Sequence, residues 1–293
     1  MNDSSQPLST GMFKNILLAT DGSEFALGAE RLTTSLVLRF GGLVTAMQMA
    51  MFVPFLDVDG LTPDQWLLDL QLQEDDAALK SLSGVKERMG RQGVSCNLLV
   101  KHGNHPHKEI IDAAAEIDAD LVVVGRRGRR GLARMMLGDA TARIVAQSPR
   151  HVLVVPMAVD SLWRTSILLA TDGTHYSGLA CIAATRLARE SRLPLRVISV
   201  VESKSYDAYY DAASMAVEQA VAHAKEAGVM VQGAVLEGHQ PADVIADEAY
   251  SMDAGLVVGG SHGRTGLERV FIGSVMERLL GKVSCPVLVA KRG

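Results

Sequence analysis

The sequence predicts an α/β fold in two tandem copies, each an open parallel sheet flanked by helices. The first observation that supports this prediction is an internal repeat. Residues 16–22 (ILLATDG) recur letter for letter as residues 167–173, at an offset of 151 residues. Two spaced patterns repeat at an offset of 135 residues: Gly103-x-x-Pro106 with Gly238-x-x-Pro241, and Gly125-x-x-Gly128 with Gly260-x-x-Gly263. Such matches in register indicate a duplication.

Apolar runs that alternate with helical stretches are the second observation. In the second copy they predict strands at residues 166–171, 195–201, 229–236, 255–259 and 286–290. The helices between them are expected at residues 174–191, 206–227, 242–252 and 273–281, with Gly228 ending the second of these in a left-handed conformation. The first copy predicts strands near residues 15–20, 43–49, 94–100, 120–124 and 151–156. Near-continuous apolar strands of this kind are typical of a parallel sheet covered on both faces.

The repeat divides the chain into a domain at residues 12–158 and a domain at residues 163–293. The link between them is short and not rich in glycine or serine, so we expect the two domains to pack together. The first copy is longer by 16 residues, which fall between about residues 51 and 100.

A helix start lies within this excess. Thr62, Pro63 and Gln65 form a capping-box pattern, and Trp66, Leu67 and Leu70 form an apolar patch behind it. Two interpretations stay open: a longer helix packed on the core, or a lid over the first copy's site or an oligomer contact.

Composition and charge exclude several classes of protein. The net charge is −4 at pH 7, so no global basic field attracts nucleic acid or anionic lipid. Residues 1–11 lack the apolar stretch of a secretory signal, and the longest apolar runs are too short to span a bilayer. We therefore expect a cytoplasmic protein with no nucleic-acid or membrane partner.

The cysteines and histidines predict no metal site. Cys96, Cys181 and Cys285 are widely spaced without a C-x-x-C motif, which favours a reducing compartment over a disulfide framework or a zinc site. The histidines at 102, 105 and 107 are close in sequence but do not form a metal-ligand pattern.

A glycine-rich loop in the second copy predicts an anion site. Gly260-Ser261-His262-Gly263 follows the fourth strand and, after nine residues, Gly273-Ser274 begins a helix. Glycines let backbone N–H groups approach phosphate oxygens, and the helix N-terminus adds unpaired N–H groups and a positive dipole end. Asp172 follows the first strand, at the sheet edge where open α/β folds bind ligands, and can accept hydrogen bonds from ribose hydroxyls.

These residues resemble the universal stress protein family across essentially the full chain. The family's nucleotide motif, G-x2-G-x9-G-[S/T], is matched by Gly260, Gly263, Gly273 and Ser274, and SCPVLV at residues 284–289 is also typical of the family. The resemblance implies two Rossmann-like domains with strand order 3-2-1-4-5 and ATP bound at the switch point between strands one and four. It also implies a contact between last strands, made here within one chain as an intramolecular pseudo-dimer; a homodimer stays open.

The resemblance extends to a set of binding residues. Asp172 would meet the ribose and the backbone at Val200 would meet adenine, while magnesium is left open. The full set expected to bind ATP is Ala170, Asp172, Val200, Gly260, His262, Gly263, Arg264, Gly273, Ser274 and Val275.

The first copy departs from this motif. Its glycine spacing survives, but Asp139 stands where serine or threonine is expected. Two unit charges about 4 Å apart repel by roughly 4 kcal/mol at an effective dielectric of ~20, which corresponds to about a thousandfold in affinity. Arginines surround the position: Arg126, Arg127, Arg129, Arg130 and Arg134.

Three interpretations of these arginines stay open. An arginine pairs with Asp139 and occupies the phosphate site, the arginines hold a different anion, or they form a solvated basic loop. Asp21, the counterpart of Asp172, is explained equally well by a role in turning the chain after the strand.

The sequence thus predicts a nucleotide-responsive stress regulator that binds ATP in the second copy. No catalytic residue is assigned, because we find no phosphate-loop lysine and no Ser–His–Asp arrangement, so at most weak ATPase activity is expected. The alternatives are a slow ATPase or nucleotidyl-transfer enzyme, and an interaction scaffold whose sites are vestigial.

Overall fold

Each copy folds as five strands alternating with four helices in the computed structural model, which describes residues 12–50, 65–126, 137–159, 165–203, 206–261 and 272–291. The first copy consists of β1 (Asn15–Thr20), α1 (Leu27–Phe40), β2 (Leu43–Ala50), α2 (Gln65–Gly90), β3 (Cys96–His102), α3 (Pro106–Glu116), β4 (Leu121–Arg126), α4 (Asp139–Gln147) and β5 (His151–Pro156). The second consists of β6 (Ile167–Ala170), α5 (His175–Ser191), β7 (Leu195–Glu202), α6 (Tyr206–Glu226), β8 (Val231–Gly238), α7 (Pro241–Ser251), β9 (Leu256–Gly260), α8 (Ser274–Lys282) and β10 (Val287–Ala290).

The strand order is the same in both copies. Within the described residues one continuous sheet has the strand order β3-β2-β1-β4-β5-β10-β9-β6-β7-β8. When the strands of each copy are numbered from that copy's first strand, the order is 3-2-1-4-5 in both copies. All pairings inside a copy are parallel. The predicted α/β fold with parallel sheets and helices on both faces is confirmed.

Alternate residues of the central strands enter two separate apolar layers. In β1, Ile16 and Leu18 pack into one layer while Leu17 packs into the other, and in β6 Ile167 and Leu168 divide in the same way. Successive side chains of a strand point to opposite faces, so a strand covered on both faces must be apolar throughout. Both layers contain residues of both copies, which makes the core continuous across the duplication.

The two copies join through their last strands. β5 and β10 pair antiparallel, with Val152 opposite Val289 and Val154 opposite Val287. The contact between last strands that the resemblance implies is thus present within this one chain, and the two strands are antiparallel. Because the two strands run in opposite directions, the carboxyl edge of one copy meets the amino edge of the other.

Cations from one copy hold helix ends of the other. Arg39 of α1 donates from Nη2 to the Ser191 carbonyl at the end of α5, over 2.5 Å. Lys291, just after β10, is 8% exposed and donates from Nζ to the Ala146 carbonyl near the end of α4, over 3.2 Å. Exposed carbonyls give a helix C-terminus partial negative charge, so these contacts are favourable.

Burial of Lys291 predicts a pH dependence of stability. Burial lowers the pKa of Lys291 to about 8, against 10.5 for an ordinary lysine. Between these pH values the unfolded chain still holds a proton that the folded protein has released, so the free energy of unfolding should rise with pH, by on the order of 3 kcal/mol across the window. Denaturant titrations of the parent and Lys291→Met at pH values spanning the window test this. Equal pH slopes in the two proteins would contradict it.

The excess of the first copy lengthens α2. This helix has 26 residues, whereas its counterpart α6 has 21. Its buried residues are Ala78, Leu82, Val85 and Met89, and none of residues 66–77 is buried. The interpretation of a helix packed on the core thus holds for its second half and is wrong for its first.

The first half of α2 instead carries exposed apolar side chains. Trp66 is 61% exposed, whereas Leu67 and Leu70, which were expected beside it, are half-buried. His102, at the carboxyl end of β3, contacts the Asp75 carboxylate over 2.6 Å. This half of the helix therefore lies at the edge of the sheet where β3 ends. The helix-start residues Thr62 and Pro63 lie outside the described residues.

Candidate functional site

A cavity of about 620 Å³ opens at the carboxyl ends of β6, β7 and β9. β6 lies between the other two strands, so the cavity is at the point where the strand order reverses direction, the usual ligand position in open α/β sheets. Its lining residues include Ala170, Thr171, Asp172, Ser177, Ile198, Val200, Glu202, Tyr209, Ile245, Gly260, Gly273, Ser274, Val275 and Met276.

One end of the cavity is the N-terminus of α8. Gly273 is the N-cap of this helix and offers no side-chain cap, in contrast to Thr174, whose hydroxyl accepts from the Ser177 amide at the start of α5. The first N–H groups of a helix have no partner inside it. The backbone at Ser274 and Val275, both exposed, therefore presents donors and a positive dipole end to the cavity.

Gly260 ends β9 against the start of α5. A Cβ on this residue would lie 2.9 Å from the carbonyl carbon of Tyr176, which is too close for any side chain. Packing alone therefore requires glycine at this position of the motif. The same close approach brings the strand end to the rim of the cavity, where Gly260 is a lining residue.

Asp172 shapes the turn after β6. Its Oδ1 accepts from the Thr174 amide over 3.0 Å and from the Thr174 hydroxyl over 2.7 Å. Asp21 makes the equivalent contacts with Ser23 in the first copy, over 3.0 Å and 2.5 Å. The turn-forming role considered for Asp21 thus applies to both copies, and in the second it fixes a carboxylate at the cavity wall.

Apolar side chains form much of the remaining lining. They are Ile198 and Val200 of β7, Ile245 of α7 and Met276 in the first turn of α8, together with Tyr209 of α6. Sequence reasoning found Val200 but missed the others. Ile198 was detectable, because residues two apart on a strand share a face, whereas the α6 and α7 residues reach the cavity only through tertiary packing.

Of the ten residues expected from the sequence, seven line this cavity. They are Ala170, Asp172, Val200, Gly260, Gly273, Ser274 and Val275. His262, Gly263 and Arg264 lie outside the described residues.

Comparison with known proteins decides the family. The model of the universal stress protein family matches residues 12–156 and again residues 164–291. The chain belongs to the universal stress protein family. It is 28% identical to the universal stress protein Slr1230 of Synechocystis, over 94% of this chain and 99% of that protein.

Other members resemble one copy or both. The universal stress protein MJ0531 of Methanocaldococcus jannaschii is 32% identical over 144 residues, 49% of this chain and 82% of that protein. The crystal structure of a universal stress protein from Archaeoglobus fulgidus superposes with a TM-score of 0.75 at 22% identity, over 95% of this chain and 98% of that one. The latter likeness establishes a shared fold.

In the first copy of this universal stress protein, the structure places one of the five arginines considered as partners of Asp139, namely Arg126. Asp139 forms an ion pair with Arg143, one turn further along α4, over 2.9 Å, and the Asp139 side chain is 80% exposed. Arg126 is buried elsewhere, donating to the carbonyls of Leu280 and Val283 in the second copy. For Arg126, pairing with Asp139 is therefore wrong, because the antiparallel joint carries the end of β4 to the end of α8. The other four arginines lie outside the described residues.

Histidines near the first copy's carboxyl edge serve local packing. The contact with His102 lowers the pKa of the Asp75 carboxyl, and a further hydrogen bond from Gln71 acts in the same direction. His107 is buried on α3, which lowers its pKa, and Arg143 nearby adds to the effect. Within the described ranges, no three histidine, cysteine or acidic side chains come together as a metal site, and no helix there is long and apolar enough to cross a bilayer.

Proposed function

We propose that this universal stress protein binds ATP in the cavity of its second copy. The observation that carries the proposal is a single cavity lined by the uncapped N-terminus of α8, by the Asp172 carboxylate and by apolar side chains of β7 and α7. A ligand with an anionic group, a polyhydroxylated part and a flat apolar part matches this set of surfaces. A nucleoside triphosphate has that chemistry.

Each part of the nucleotide has a residue to meet it. The backbone amides of Ser274 and Val275 bind phosphate, Ser274 adds a hydroxyl, and the Asp172 carboxylate accepts from the ribose. Gly273 borders the phosphates as the N-cap, with its own amide donating to the Ser261 carbonyl over 3.1 Å. Ala170, Ile198 and Val200 contact the base, whose choice as adenine follows the family motif. His262, Gly263 and Arg264 complete the phosphate loop.

Binding without dedicated turnover fits the lining of the cavity. Among its described residues, the ionisable side chains are Asp172, Glu202 and Tyr209, and none is a lysine, arginine or histidine. A phosphoryl-transfer site normally supplies cations to the transferred group, often a phosphate-loop lysine. The proposed phosphate loop contributes His262 and Arg264, but it has no lysine between Gly260 and Ser274. We therefore propose a nucleotide-responsive stress regulator in the cytoplasm, in which the bound state and not the reaction carries the signal.

Titration of the purified chain with ATP tests this function. We expect one equivalent per chain, because the first copy presents Asp139 where the second presents Ser274. Isothermal titration calorimetry measures the stoichiometry, and phosphate release over the same period measures turnover. Two equivalents, or no binding, would contradict the proposal, and sustained phosphate release well above background would favour the enzyme.

A further inference from the structure

The helix that begins at the proposed phosphate site ends against the other copy. α8 has nine residues, so its ends are only about 13 Å apart. Its first residue lines the cavity, while its last carbonyls face the end of β4 across the β5–β10 joint.

Arg126 is the group that meets this far end. It is the last residue of β4 and is 3% exposed. Its Nη2 donates to the Val283 carbonyl over 2.6 Å, and its Nη1 donates to the Leu280 carbonyl. One planar guanidinium thus satisfies an unpaired carbonyl in the last turn of α8, that of Leu280, and the carbonyl of the C-cap residue Val283.

Arg126 acts here as an isolated cation. Burial lowers its pKa to about 10, so it stays protonated at neutral pH. No carboxylate pairs with it among the described residues, and its buried Nε has no hydrogen-bond partner there. The carbonyls of α8 and the negative end of the helix dipole are therefore what compensates the charge.

The position of Arg126 in the repeat is informative. It lies in the first copy's glycine loop, directly after Gly125, where the second copy has Ser261 directly after Gly260. The same loop position therefore has different surroundings in the two copies. In the second copy Ser261 borders the cavity, whereas in the first copy Arg126 contacts the end of the second copy's helix α8. Conversely, Lys291 of the second copy contacts the end of α4 in the first copy, but α4 begins at Asp139 and not at an intact phosphate motif.

We infer that Arg126 is a positioning residue for the ATP site of the second copy, holding α8 so that its N-terminal amides face the phosphates. The inference rests on the proposed function. A cation at the C-terminus and phosphate at the N-terminus stabilise the same helix dipole, so binding of ATP and the Arg126 contact favour each other. The degenerate first copy then contributes to ATP binding without holding ATP itself.

Substitution of Arg126 in the full chain tests the inference. Arg126→Met should raise the Kd for ATP about tenfold, which corresponds to about 1.4 kcal/mol. Arg126→Lys keeps the charge but not the two-pronged geometry, so it should lose only about threefold. Lys291→Met is the matched control, because it removes the other buried interface cation from the other helix, and it should bind ATP within about twofold of the parent.

Hydrogen exchange supplies a reading that does not need ATP. In the ligand-free protein, Arg126→Met should accelerate exchange of the α8 amides, while Lys291→Met should leave them unchanged. Equal ATP affinities for Arg126→Met and Lys291→Met, with unchanged α8 exchange, would overturn the inference. If Arg126→Met does not fold, Arg126→Lys becomes the deciding variant. An ATP affinity of Arg126→Lys equal to that of the parent would then overturn the inference. A parent that binds no ATP contradicts the proposed function, while α8 exchange still tests the clamp.

Discussion

Ser274→Asp is expected to weaken ATP binding by the second copy. The substitution places a carboxylate at the first position of α8, where we propose that the phosphates meet the helix, as Asp139 does at the start of α4. Like charges about 4 Å apart repel by roughly 1 kcal/mol in water and 4 kcal/mol at an effective dielectric of ~20. Ser274 is exposed, so the loss of affinity should lie between about fivefold and a thousandfold.

The fold should tolerate this substitution. Aspartate is favourable in the first turn of a helix. In α4, Asp139 also pairs with Arg143 one turn further along, and the residue at the corresponding position of α8 is Arg278. Ser274→Ala is the control, since it removes the hydroxyl without adding charge and should cost far less affinity. Calorimetric titration of both variants measures the difference. Equal affinities for them would exclude charge as the cause.

The strands of this fold were predictable because burial on both faces leaves little choice of residue. β1 was expected at residues 15–20 and is found at Asn15–Thr20, with its middle four residues buried. β8 was expected at residue 229 but begins at Val231, since the Val229 amide is bonded to the Ala224 carbonyl behind the left-handed Gly228. The β3 start shifts in the same way, with Val94 bonded back to Met89.

The part of the cavity formed by the start of α8 was also predictable, because it is built from contiguous backbone. Gly273, Ser274 and Val275 reach the cavity through a helix start, which leaves a local pattern in sequence. Ile245 and Tyr209 reach it from separate helices, whose docking is set by core packing and not by any local spacing.

Arg126 illustrates what local sequence cannot reveal. Its partners, Leu280 and Val283, lie 154 and 157 residues away. They come within reach only because β5 and β10 pair with Val154 opposite Val287. A shift of that register would move the arginine away from the end of α8. The sequence left three interpretations open for the arginines beside the degenerate phosphate motif, and for Arg126 the pairing of distant strands provides a partner that none of them named.

Asp139→Ser is expected to let the first copy take up a second equivalent of ATP. The variant removes the negative charge at the start of α4 and restores the hydroxyl that Ser274 provides in the second copy. It also releases Arg143, which now pairs with Asp139 over 2.9 Å, to meet phosphate. Since the attraction is between partly exposed charges, the affinity of this second site should weaken as salt rises. Calorimetric stoichiometry at low and high salt measures both effects.

Two further variants separate charge from shape as the obstacle in the first copy. Asp139→Asn removes the charge without restoring the hydroxyl, so it should bind a second ATP more weakly than Asp139→Ser but more tightly than the parent. Asp139→Ser combined with Ser274→Asp should exchange the sites and return the stoichiometry to one. If Asp139→Ser alone still binds one equivalent, charge is not what closes the first copy. The extended first half of α2, which reaches the same sheet edge through Asp75 and His102, is then the structural feature to shorten.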